Sequence, residues 1–190
     1  MVQNVFLYLS KLKFYKMKKS IFTAVLAFVL TSCDYTKEGE FATKAIGYEI
    51  DDNGNKLRLY SGDMSNLAVW EEYIKAHNTR NLDAIKSLNA KENFKVYGPK
   101  GEFIQGSDEH LEFLKNWFSQ ANPKWKTNYL IENEFTNSNG ELRQWVTSGH
   151  QLTLTMEGEE IKLSQVHDAL ISNGKVQMFY VTERVLADGE

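Results

Sequence analysis

The chain has 190 residues, 42% hydrophobic and 25% charged, with a formal net charge of −3. That length supports one compact domain rather than several. The lack of a basic excess or basic stripe argues against a nucleic-acid surface, because phosphate backbones are bound through neutralising cations. A single cysteine, Cys33, leaves no disulfide framework and no thiolate metal cluster.

In chain order, the first organised segment is polar-flanked and apolar. Lys18 and Lys19 precede an apolar run over 21–30, the length of a signal-peptide core and well short of the roughly 20 residues a spanning helix needs. The run closes on Leu30-Thr31-Ser32-Cys33. This resembles the lipobox of bacterial lipoproteins, where small side chains before the cysteine let a peptidase reach the backbone. The resemblance implies cleavage before Cys33, lipid on Cys33, and a domain anchored in the cell envelope. It would face out of the cytoplasm, on the periplasmic side or the cell surface. Met17 is the expected start, with residues 1–16 outside the fold. Removing residues 1–32 takes away five lysines and no acid, leaving 17 basic against 25 acidic residues, a net of −8. One acyl chain anchors only marginally, whereas the several chains of a lipoprotein anchor stably.

After Cys33 the expected order is a lipidated tether and small hairpin over 33–62, then a domain over 63–190. The tether, 34–44, is short and polar. Stretches 45–50 and 56–60 flank Asp51-Asp52-Asn53-Gly54-Asn55, a hairpin turn signal. Ser65 is the expected N-cap of a helix to about His77, with Trp70, Tyr73, Ile74 and His77 on one face. Asn81 caps a second helix, with Asp83 in its first turn and Leu82, Ile85 and Leu88 facing inward. Short strands over 94–97 and 102–105 flank Gly98-Pro99-Lys100-Gly101. Ser107 is the expected cap of a third helix, with His110, Phe113, Leu114, Trp117 and Phe118 as its apolar stripe, stopped by Asn122-Pro123. The period then changes from 3.6 to 2. Strands follow from Trp125 to Phe135, over 142–156 with Gly149 as a bulge or bend, over 160–171, and over 176–183. Three helices and a four-stranded antiparallel meander make an α+β fold, with the helices covering one face of a curled sheet.

Two stretches carry a second resemblance. Tyr73-Ile74-Lys75-Ala76-His77-Asn78 followed by Asn81-Leu82-Asp83-Ala84-Ile85 is similar to the first-helix pattern of the nuclear transport factor 2-like fold. Residues 166–171 followed by Asn173-Gly174-Lys175-Val176 are similar to its penultimate strand, Gly-Lys turn and final strand. That fold includes SnoaL-type polyketide cyclases, ketosteroid isomerases and many binding or scaffold domains. The resemblance covers about residues 66–184 and implies a cone-shaped roll with a pocket and, commonly, a homodimer through the open sheet face. On the isomerase pattern Tyr73 falls on the first-helix tyrosine and His167 near the oxyanion aspartate. The base position falls on Gly98, which cannot abstract a proton.

The residues leave two function classes open. One is a binding or scaffold domain for a small apolar or amphipathic molecule. The other is a cofactor-free acid/base enzyme, isomerase-, cyclase- or dehydratase-like, acting on a carbonyl compound. For chemistry the candidates are Tyr73 and His167, with Asp168 as a weaker alternative. His77, Trp117, Gln165 and Tyr97 are candidates for contact with a ligand. Strand parity puts Leu163, Gln165, His167, Ala169 and Ile171 on one face and Asp168 on the other. An ordinary imidazole pKa near 6.5 would let His167 act as donor, acceptor or base. His110 and His150 read as structural, and the tryptophans as packing that borders a cavity. Four histidines on four elements lack ligand spacing, so no metal or cofactor is expected.

Overall fold

The computed structural model describes residues 44–187. The segment 17–33 and the tether up to residue 43 lie outside the described residues. A two-stranded hairpin, β1 (Gly47–Ile50) and β2 (Lys56–Leu59), comes first. Its turn is closed by Asp51, whose Oδ1 accepts the backbone N–H groups of Asn53 and Asn55 at 2.9 and 2.8 Å. The sequence left its place open. In the structure β2 packs on the long strand β5 (Lys124–Thr136), and Tyr60 exchanges two 2.9 Å backbone hydrogen bonds with Glu134.

Helices α1 (Ser65–Asn78) and α2 (Leu82–Leu88), short strands β3 (Lys95–Tyr97) and β4 (Phe103–Gln105), and helix α3 (Ser107–Ala121) then follow in chain order. Asn81 caps α2 as expected, its Oδ1 accepting the N–H of Ala84 at 3.0 Å. The other two caps differ from expectation. Ser65 and Ser107 are the first helical residues rather than caps. Asp63 Oδ1 takes the Ser65 N–H at 2.9 Å. Gly106 precedes α3 at φ 109°, a conformation only glycine adopts cheaply.

Strands β5, β6 (Leu142–Met156), β7 (Glu159–Ser172) and β8 (Lys175–Val185) form the meander. The six-stranded sheet has the order β4-β3-β8-β7-β6-β5, antiparallel throughout except for the parallel pair β3–β8. This is the α+β cone: α1 and α3 close over the concave face. The core joins Trp70, Tyr73 and Ile74 of α1 to Leu114 and Phe118 of α3, and to Val146, Ala169 and Phe179 of the sheet. The irregularity expected at Gly149 lies instead on its neighbour. Strand β6 runs through Gly149, while β5 shifts register between Thr127 and Tyr129. Gly149 is needed for a different reason. The Tyr129 ring packs against it, and a Cβ there would sit 2.1 Å from Tyr129 Cε1.

Candidate functional site

Between the helices and the concave sheet lies a cavity of about 200 Å³. Helical periodicity aims Tyr73 and His77 of α1 and His110 and Trp117 of α3 into it. Strand alternation supplies Gln165 and His167 from β7, and Phe179, Val181 and Glu183 from β8. Exposed Lys100 and Glu102, on the turn between β3 and β4, also border it.

One hydrogen-bond chain runs along the sheet wall. Trp125 Nε1 donates to Gln165 Oε1 at 2.9 Å. An indole N–H only donates, so Gln165 turns its oxygen to Trp125. The same oxygen lies 3.0 Å from His167 Nε2, so that nitrogen carries the hydrogen and Nδ1 is bare. His167 Nδ1 is buried and has no hydrogen-bond partner among the described residues. Gln165 Nε2 donates to Glu183 Oε2 at 2.7 Å, which completes the chain.

The helical wall is ordered in the same way. The Tyr73 hydroxyl donates to Asn89 Oδ1 at 2.7 Å, and Asn89 Nδ2 donates to Ser107 Oγ at 2.9 Å. His77 Nδ1 lies 2.8 Å from the Tyr73 carbonyl oxygen. A carbonyl only accepts, so Nδ1 is the protonated nitrogen and Nε2 is a bare acceptor on a residue that lines the cavity. His110 packs 5.8 Å from His77, ring centre to ring centre, and its buried Nδ1 has no hydrogen-bond partner among the described residues. Behind His167, at 4.6 Å, stands His150; its Nε2 lies 2.8 Å from Ser148 Oγ, which also accepts from Trp70 Nε1 at 2.8 Å.

Burial disfavours the charged form of all four imidazoles. It lowers His77 and His150 to about 4. It also holds His110 well below the ordinary value, with His77 adding to the effect, and His167 likewise, with His150 and His77 adding. The wall therefore presents neutral rings near pH 7. This corrects the expectation of an ordinary histidine pKa at His167. Burial likewise raises the Tyr73 phenol well above 10.

Of the residues singled out in the sequence, the structure brings Tyr73, His77, Trp117, Gln165 and His167 to one cavity. Two others lie elsewhere. Asp168 is on the outward face of β7, where it accepts from Thr147 Oγ1 at 2.7 Å. Tyr97 is also outward, its ring stacked on Tyr180 at 4.6 Å, because Val96 is the inward residue of the three-residue strand β3. Tyr73 is in the cavity wall but its hydroxyl is committed to Asn89, a partner that sequence reasoning missed. His110, read as structural, joins the wall beside His77, and Glu183 was not anticipated at all. Of the tryptophans, Trp70, Trp117 and Trp125 border the cavity, whereas Trp145 stacks with Tyr180 on the outer face.

The prokaryotic membrane lipoprotein lipid attachment site matches residues 17–33, so the chain is a lipid-anchored lipoprotein of the cell envelope. Among curated proteins none matches it in sequence. Solved structures are similar to it in fold. A Kribbella flavida protein assigned as a ketosteroid isomerase is 17% identical, with 66% of this chain and 82% of that one covered, at a TM-score of 0.52. An LEH-like epoxide hydrolase of M. tuberculosis is 9% identical, with 63% and 82% covered, at 0.53. A SnoaL-like protein of Shewanella denitrificans assigned as a polyketide cyclase is 10% identical, with 64% and 92% covered, at 0.50. The described residues thus have the nuclear transport factor 2-like, SnoaL-like cone fold. At such identities the likeness extends to the fold alone.

Proposed function

We propose that the cone domain faces out of the cytoplasm on its lipid anchor and holds one small, largely apolar molecule that donates a hydrogen bond. The observation that carries this reading is the largely apolar, aromatic-lined cavity with His77, whose Nε2 is a bare acceptor, in its wall. A cavity of about 150 Å³ holds benzene, so about 200 Å³ suits a one- or two-ring molecule. Binding is favoured over chemistry because the Tyr73 hydroxyl is committed to Asn89 and position 98 is glycine. Cofactor-free proton transfer is the second reading. It is favoured by Glu183, a half-buried carboxylate on the cavity wall linked through Gln165 to His167. The outward aromatic row Phe103, Tyr97, Tyr180 and Trp145 supports a homodimer contact on that sheet face.

Calorimetric titration with 2-naphthol and with 2-methoxynaphthalene tests the proposal. The two differ only in the hydroxyl hydrogen and a methyl group. Naphthol should bind at least about tenfold more tightly, the equivalent of one hydrogen bond to a buried acceptor. Equal affinities would overturn the assignment of His77 as the recognising group.

A further inference from the structure

We propose that the outward face of the β1–β2 hairpin is a bilayer-docking surface, laid against the headgroup region of the membrane that holds lipidated Cys33. The alternation of β1 runs opposite to that of an ordinary surface hairpin. On the face it shares with half-buried Leu59 and Leu57 of β2 it carries Gly47 and Glu49, themselves exposed. Its outward positions are apolar: Tyr48 is 53% exposed and Ile50 58%, and Ile46, just before the strand, is 57% exposed. A strand that needed only solvent on that side would carry polar residues there.

The partners on the same face are basic. Arg58 lies opposite Tyr48 and Lys56 opposite Ile50, and the Lys56 ammonium stands 4.3 Å from the centre of the Tyr48 ring. An aliphatic and aromatic stripe flanked by long cations matches an anionic phospholipid surface: the rings and methyl groups enter the boundary while the cations stay with the phosphates. The chain after the signal is acidic overall, a net of −8, so an anionic bilayer is best met by a face that carries cations such as these.

Chain length supplies the proximity. Gly47 follows Cys33 by 14 residues, which span at most about 50 Å when fully extended. The lipid on Cys33 therefore holds the hairpin at a high effective concentration near the bilayer, where a stripe too small to bind from solution can engage. The hairpin is also joined to the cone through the Tyr60–Glu134 bridge, and Ser138 Oγ donates to Asp51 Oδ2 at 2.5 Å, so docking it would orient the domain.

Cys33 is the only cysteine in the sequence, and lipid occupies it, so an added cysteine gives a unique labelling site in the mature lipoprotein. The lipidated protein carrying Ile50→Cys or Glu49→Cys would be labelled with an environment-sensitive fluorophore. It would then be placed in phosphatidylethanolamine–phosphatidylglycerol vesicles containing brominated acyl chains. The label at position 50 should be quenched and that at 49 should not, and the added change Lys56→Glu with Arg58→Glu should abolish the quenching. Equal water accessibility at 49 and 50 would overturn the proposal. So would shielding at 50 that appears without bromine quenching and grows with protein density on the vesicle, which would identify a second copy as the occupant.

Discussion

Lowering the pH from 6.5 toward 4 is expected to destabilise the cone domain strongly. His77 and His150 have folded-state pKa values of about 4, against about 6.5 in the unfolded chain. Between those values the unfolded state binds more protons, so stability falls as pH falls. The contribution is intact above about 6.5 and is lost as pH drops to the folded values. Each residue then costs about 3 kcal/mol, and the two together rival a typical total of about 5–15 kcal/mol. His110 and His167 are shifted in the same direction and add to the loss. Glu132 acts oppositely, since burial raises its carboxyl and its protonation favours the folded state. Its single contribution opposes four. Denaturant unfolding at pH 7.5, 6, 5 and 4 checks the sign, and a stability that stays flat over that range would contradict the neutral burial of these rings.

Trp70→Ala is expected to be the most damaging single substitution on α1. The indole is fully buried, stacked on Tyr73 at 5.1 Å, and edge-on to Phe179 at 5.6 Å and His167 at 5.9 Å. Truncation leaves a void in a packed core, and such changes cost about 3–5 kcal/mol. It also removes the donor to Ser148 Oγ. The midpoint of urea unfolding should fall with little change in slope. A loss below about 1 kcal/mol would mean that the core collapses around the site more readily than these contacts imply.

The sequence made the element order and one wall of the cavity legible, for reasons that can be traced to residues. Alternation along β7 places Gln165 and His167 on the side of Leu163 and Ala169, and Asp168 opposite, because that strand runs through these positions in regular register with β6. The same counting fails on β8. Starting inward at Val176 and stepping by twos gives Met178, Tyr180 and Thr182. A register shift opposite Leu170 and Ile171 instead turns Phe179, Val181 and Glu183 inward. An irregularity of one residue carries no sequence signal of its own, so Glu183 was hidden. Tyr97 misled for a related reason: a strand of three residues has too few alternations to fix its parity. The Tyr73–Asn89 hydrogen bond was illegible because it depends on how α1 and the residue ending α2 pack. The hairpin turn was legible from Asp51 through Asn55, but its attachment to β5 depends on a long-range bridge to Glu134.

The central claim is that the cone cavity is a binding site, and the most direct measurement is a titration of the lipoprotein with 2-naphthol before and after the cavity is filled. Val181, on the cavity wall and only half-buried, is the position to enlarge. Wild type should bind one equivalent saturably, and Val181→Trp, with circular dichroism and unfolding midpoint retained, should lose that binding. Absence of saturable binding in wild type, or affinity unchanged by a folded Val181→Trp variant, would contradict it.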